Sequence, residues 1–199
     1  MAQIDYYLSL NSPWAYLGAA RLRQLAQKVG ASVKVKPVDF AAIFPKTGGL
    51  PLGKRAPARQ AYRLVELARW REFLKLPLTL RPAHFPFAER EAARFLVAAD
   101  LAGGDPLGFS EAVLRALWAE ERDPGEADTL KAIARETGHD AEALAARAAE
   151  PETAAILDAY TEQALAAGVF GAPSYVVEGE IFWGQDRLDF LERKLAGAA

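Results

Sequence analysis

The 199-residue chain contains no cysteine. Disulfides, cysteine-ligated zinc and a thiol nucleophile of the protein's own are therefore excluded, and a dithiol oxidoreductase with them. Any sulfur chemistry has to arrive on a ligand. Histidine is almost as scarce: His84 and His139 stand alone, in no metal-type spacing and with no nucleophile-elbow pattern to draw either into a triad. Both read as ordinary loop or surface residues, and no metal is expected. A surplus of one charge is lacking too, because 24 Lys+Arg face 26 Asp+Glu without a one-signed block, which argues against nucleic acid as a partner. No stretch approaches the roughly 18 apolar residues of a membrane span. The opening "MAQIDYYLSL" has no basic region ahead of an apolar one, so a cytoplasmic protein without membrane contact is expected. The composition, 51% hydrophobic and 25% charged, suits one sizeable soluble domain or a small domain carrying an insertion.

Residues 3–10, "QIDYYLSL", alternate imperfectly and are rich in strand formers, with Ile4, Tyr6, Leu8 and Leu10 on one face. From Trp14 to about Val29 apolar residues recur at helical spacing, and "VGA" supplies a stop. Residues 32–39, "SVKVKPVD", alternate as a second strand that Pro37 brings to an end. Strand, helix, strand predicts a parallel crossover. Residues 44–57 hold three prolines and three glycines and read as a loop. Helical patterns then run from 58 to 168, with Ser110, Asp140 and Pro151 as helix-start residues. Strand character returns at Ser174–Val177 and Ile181–Trp183, joined by "EGE" as a tight antiparallel hairpin with Gly179 at the turn. A last helix places Leu188, Leu191 and Leu195 on one stripe. The order is βαβ, a helical block, then ββα.

Three spots hold residues suited to a site. Ser12 stands where the first strand hands over to a helix begun by Pro13, and on cap preferences alone it is an N-cap. Asp186, in "WGQDRL", has the same plain reading at the start of the last helix. The run "GKRAPAR" is on its own a solvated basic loop, though Lys54, Arg55 or Arg59 can also meet a carboxylate. Trp14, Tyr16, Trp70, Trp118 and Trp183 are core residues or walls of an apolar pocket, Trp14 and Trp183 being preferred as walls.

"SPWAYLG" at 12–18, "GVFGAPSYVVEGEIFWGQDRLDFLE" at 168–192 and, more loosely, "PARQAYRLVELARW" resemble the 2-hydroxychromene-2-carboxylate isomerases, which are similar in turn to kappa-class glutathione transferases. The resemblance implies an α/β thioredoxin-like fold (βαβ…ββα) with a large all-helical insertion. Residues 1–40 and 168–199 would form the thioredoxin-like domain and 41–167 the inserted helical domain. Glutathione is the implied cofactor. Ser12 would take the place of the oxidoreductases' cysteine at the amino end of the first helix and donate a hydrogen bond to the glutathione sulfur, whose thiolate the helix dipole also favours. Ala172, ahead of a cis Pro173, would bind the cysteinyl part through its backbone, and Gln185 with Asp186 would hold the γ-glutamyl end. Lys54, Arg55 and Arg59 remain candidates for carboxylate anchors. The implied reaction is reversible addition of the thiolate to a conjugated aromatic carboxylate, rotation and elimination. A kappa-like transferase that consumes glutathione and a non-catalytic thioredoxin-like binding domain are the alternatives. Relatives of this kind commonly form homodimers, so a homodimer is expected.

Overall fold

A computed structural model describes residues 2–197. Strand β1 (Gln3–Leu8) leads into helix α1 (Pro13–Val29), and β2 (Ser32–Pro37) returns parallel to β1, with Ile4 opposite Val33 and Leu8 opposite Pro37. The crossover closes because α1 is capped at both ends. The Ser12 side chain accepts the Ala15 N–H, and Gly30, at φ 66°, lets its N–H reach back to the carbonyls of Ala26 and Gln27. Near the other end of the chain, β3 (Ser174–Val177) runs antiparallel to β1 and pairs with β4 (Glu180–Trp183). Both turn residues of that hairpin, Glu178 and Gly179, have positive φ, which matches the right-handed twist of the strands. The sheet order is β2-β1-β3-β4.

Between the two halves lie α2 (Phe40–Thr47), α3 (Pro57–Leu74), α4 (Arg90–Leu101), α5 (Pro106–Ala119), α6 (Ala127–Glu136), α7 (Ala141–Ala149) and α8 (Pro151–Ala166), and α9 (Leu188–Leu195) closes the described chain. Buried residues of α4, α5 and α8 join those of β1, β2 and α1 in one continuous core. Helix α3 differs, since Leu67 is its one buried residue over eighteen positions. It lies as a rib over the site with much of its surface free. Among the described residues no helix is long and apolar enough to cross a membrane.

Three local expectations need correction. The loop at 44–57 begins inside α2, where the Asp39 side chain caps Ala41 and Gly48 takes the left-handed exit. Helix α5 starts at Pro106 behind the Asp105 cap, so Ser110 sits inside it, buried, with its hydroxyl on the Leu107 carbonyl. Asp186 caps no helix: Gly184, at φ 106°, turns the chain into a one-turn 3-10 segment, Gln185–Arg187, of which Asp186 is the middle.

Candidate active site

The β1–α1 turn is held by a clasp that sequence reasoning missed. The Asn11 side chain and the Phe87 backbone exchange two hydrogen bonds, Nδ2 to the Phe87 carbonyl at 2.9 Å and the Phe87 N–H to Oδ1 at 3.0 Å. The Ser9 hydroxyl and the Asn11 N–H both donate to the Glu89 carboxylate. Burial pushes the Glu89 carboxyl above its ordinary range, against the pull of these same hydrogen bonds. The segment bearing the clasp also contains a cis Phe85–Pro86 bond. The clasp ties Ser9 and Asn11, just ahead of Ser12, to residues 87 and 89.

Ser12 is half-buried, with extended backbone angles. Its Oγ accepts the Ala15 N–H at 3.2 Å and donates to the Ala172 carbonyl at 3.4 Å. The cap bond occupies a lone pair, and the single proton goes into a long, weak bond. A better acceptor brought alongside can take that proton without uncapping the helix. No acidic residue stands in the first turn of α1, so nothing there offsets the positive end of its dipole. The Ala172–Pro173 bond is cis, as the resemblance implies.

Ala172 and Trp14 belong to the wall of a cavity of about 600 Å³, within the ~300–1,000 Å³ usual for small-molecule sites. Of the residues singled out from sequence, Trp14, Arg55, Arg59, Ala172, Trp183, Gln185 and Asp186 line it. Ser12, Pro173 and Lys54 do not, although Ser12 touches the wall through the Ala172 carbonyl. Trp183 is half-exposed and stands edge-on to Phe170, with ring centroids 4.7 Å apart. Trp70 also lines the cavity, whereas Trp118 is fully buried and Tyr16 is nearly so, its hydroxyl donating to the Pro77 carbonyl at 2.6 Å.

The 185–187 turn is tied to α1. Arg21 donates to both the carbonyl and the side-chain oxygen of Gln185, at 3.1 and 2.7 Å. What the buried Gln185 can offer a ligand is thus its amide N–H groups and its backbone. Asp186 pairs with Arg187 at 3.2 Å and remains 41% exposed, so its carboxylate is open to a further cation. Close packing holds this turn against the helix: a Cβ on Gly18 would lie 2.8 Å from the Tyr175 hydroxyl and 2.9 Å from the Gln185 Cβ.

The residue least anticipated is Arg63. It lines the cavity from α3, its guanidinium carbon 5.3 Å from the Phe85 ring centroid and 5.6 Å from that of Trp118. Burial, and secondarily the charge of Arg55, lowers it to about 10, so it stays charged at neutral pH. The signal was present in the sequence as arginine at 55, 59 and 63, each four residues from the next.

The DSBA-like thioredoxin domain family matches residues 3–196. The cytosolic disulfide reductase DsbM from Pseudomonas aeruginosa shares the fold at a TM-score of 0.71 and 21% identity, over 98% of this chain and 100% of that one. Fold and turn together define a thioredoxin-like protein of the DsbA class, with its two halves separated by helices and no thiol at the head of α1. The 2-hydroxychromene-2-carboxylate isomerase of Sphingobium xenophagum is 32% identical over 194 residues, covering 96% of this chain and 97% of the relative. A solved 2-hydroxychromene-2-carboxylate isomerase has a TM-score of 0.80 at 26% identity and covers 99% of each chain. The protein belongs to the 2-hydroxychromene-2-carboxylate isomerase family and is an enzyme.

Proposed function

We propose that this enzyme is a glutathione-dependent cis-trans isomerase acting on an aromatic acid of the 2-hydroxychromene-2-carboxylate type. The observation that carries the reading is the Ser12 hydroxyl at the head of α1, weakly engaged with Ala172, in a chain that has no sulfur nucleophile. The residues present fit glutathione. Ser12 and the α1 amino end suit its thiolate, the Ala172 backbone its cysteinyl unit, Asp186 its ammonium, and Arg55 and Arg59 its carboxylates. When bound, glutathione would supply a thiolate nucleophile for reversible addition to the conjugated system and would not be consumed.

The protein's own residues do the rest. Ser12 keeps capping α1 while its proton turns from the Ala172 carbonyl to the sulfur, which lowers the thiol pKa. Trp14, Trp70 and Trp183 flank the ring system and limit access of water. Asp186 orients the tripeptide by a charge-assisted contact. Of the described residues we assign 2–40 and 168–197 to the thioredoxin-like domain, residues 1, 198 and 199 lying outside the described chain, and 41–167 to the inserted domain that supplies the α3 wall. A homodimer in the cytoplasm is the expected working form.

The test is turnover of 2-hydroxychromene-2-carboxylate with glutathione at catalytic concentration. The expected outcome is isomerisation that needs glutathione and leaves its concentration unchanged. Activity indifferent to glutathione refutes the mechanism, and stoichiometric consumption would make the enzyme a transferase.

A further inference from the structure

We propose that Arg63 anchors the carboxylate of the aromatic substrate and thereby restricts this site to acids, an inference that rests on the substrate class given above. The charges around the cavity point to this residue. Four arginines and two acids line it, but Glu66 is engaged by Arg69 at 2.6 Å and Asp186 by Arg187 at 3.2 Å. Arg55, Arg59 and Arg63 are left, and among the described residues none of the three is in an ion pair. Glutathione with an aromatic acid brings three carboxylates to the same space. Arg55 precedes α3 and Arg59 stands in its first turn, Arg59 exposed and Arg55 donating Nε to the Leu50 carbonyl.

Arg63 is different in kind. It lies one helical turn beyond Arg59 in α3, more desolvated than Arg55, with its guanidinium carbon over the rings of Phe85 and Trp118. A cation–π contact engages the guanidinium through aromatic rings and uses none of its N–H groups, and among the described residues no acid pairs with it, so the N–H fork is available to take a carboxylate bidentately. The two rings also remove most of the rotational freedom of the side chain before any ligand arrives, so less is lost on binding. Buried positive charge without a counter-ion is unfavourable, and an incoming carboxylate relieves it while a neutral group of the same shape does not.

The test uses chromone-2-carboxylate, a stable planar acid, and its neutral carboxamide, each titrated by calorimetry into the full-length protein with and without glutathione. The unaltered protein is expected to prefer the acid by about tenfold or more. Arg63→Gln should remove that preference, leave glutathione affinity within about twofold, and raise KM for the isomerised acid with little change in kcat. Arg63→Lys, which keeps the charge but loses the planar fork, should recover only part of the preference, and serves in place of Arg63→Gln if the latter melts early. An acid-to-amide ratio unchanged in both variants overturns the proposal, as does a loss of glutathione affinity equal to the loss of acid affinity. Arg63-dependent acid binding without any glutathione binding would retain Arg63 as the anchor and remove the cofactor. Glutathione binding without acid preference would do the reverse.

Discussion

Replacing Ser12 by alanine separates a helix cap from a thiolate ligand, because the two roles have different magnitudes and different readouts. Loss of the Oγ to Ala15 bond removes an N-cap worth about 1 kcal/mol. In a protein of this size that lowers the melting temperature by roughly 2–4 °C. The proton that Ser12 donates is worth more when the acceptor is charged, about 1.5–3 kcal/mol, and the half-buried setting puts the expected value at the lower end. The sign is fixed by which form is stabilised. The hydroxyl favours the thiolate, so its removal raises the pKa of bound glutathione, by about one unit for each 1.36 kcal/mol. The dipole of α1 is untouched by the change and continues to hold the thiol below its free value. At neutral pH a rate proportional to thiolate therefore falls about tenfold and recovers as pH rises.

The assay is the ultraviolet absorbance of bound thiolate against pH, with S-methylglutathione as the blank, alongside kcat/KM over the same range. Ser12→Thr keeps both the cap and the donor and should behave like the unaltered protein. If Ser12→Ala loses the expected stability while the thiol titrates as before, Ser12 is a cap and nothing more, and the proposed role of the α1 head in catalysis is refuted.

Three further outcomes follow from the same geometry. Asp186→Asn should weaken glutathione about fivefold by calorimetry, the charge-assisted contact being discounted to about 1 kcal/mol for its exposure, and an unchanged Kd would remove Asp186 from the site. Gly18→Ala gains about 1 kcal/mol of helix propensity but drives a Cβ against the buried Tyr175 and the Arg21-bound Gln185. Overpacking of about 1–3 kcal/mol should win, giving an earlier melt and weaker glutathione binding, and a variant more stable than the parent would contradict it. Glu89 has a raised carboxyl pKa, so the folded state holds its proton more tightly than the unfolded state. Its contribution to stability is present in acid and is lost as pH climbs from near 4.5, the ordinary value, through the folded pKa. Glu89→Gln should flatten stability in that window in urea melts, and an unaltered slope would count against the burial.

Much of this was legible in the residues because local and global signals agreed. The Ser12-Pro13 start, the Gly30 exit and the Glu178-Gly179 turn each name a backbone geometry that only a few residue types satisfy. Where the sequence misled, a stronger nearby signal hid the operative one. The prolines and glycines at 44–57 concealed a short helix whose Asp39 cap and Gly48 exit both lay in view. Asp105-Pro106 was the true start of α5, yet Ser110 drew the boundary inward. Asp186 carried the right residue type for a cap but followed Gly184, whose positive φ bends the chain before a helix can begin. The Asn11–Phe87 and Ser9–Glu89 clasp joins positions more than seventy residues apart, and no local pattern encodes such a pairing. Arg63 fell between these cases, since its spacing from Arg59 was visible while its seat on Phe85 and Trp118 is a product of tertiary packing.

The electrostatics of the site run against those of the protein as a whole. The chain carries a net charge of -2, yet the head of α1 has no acid in its first turn and the adjoining cavity holds three arginines outside any described ion pair. Desolvation, and secondarily the charge of the neighbouring arginine, lowers Arg55 and Arg63. Leu67 is the one fully buried residue of α3, with Trp70 and Leu74 packed partly buried against the core, and the rest of the helix that bears Arg59 and Arg63 is more open to solvent. Anions entering the cavity would relieve that partial desolvation and repulsion. On the proposed reading, a sulfur anion at the α1 head and carboxylates along α3 would be the two kinds of charge received there.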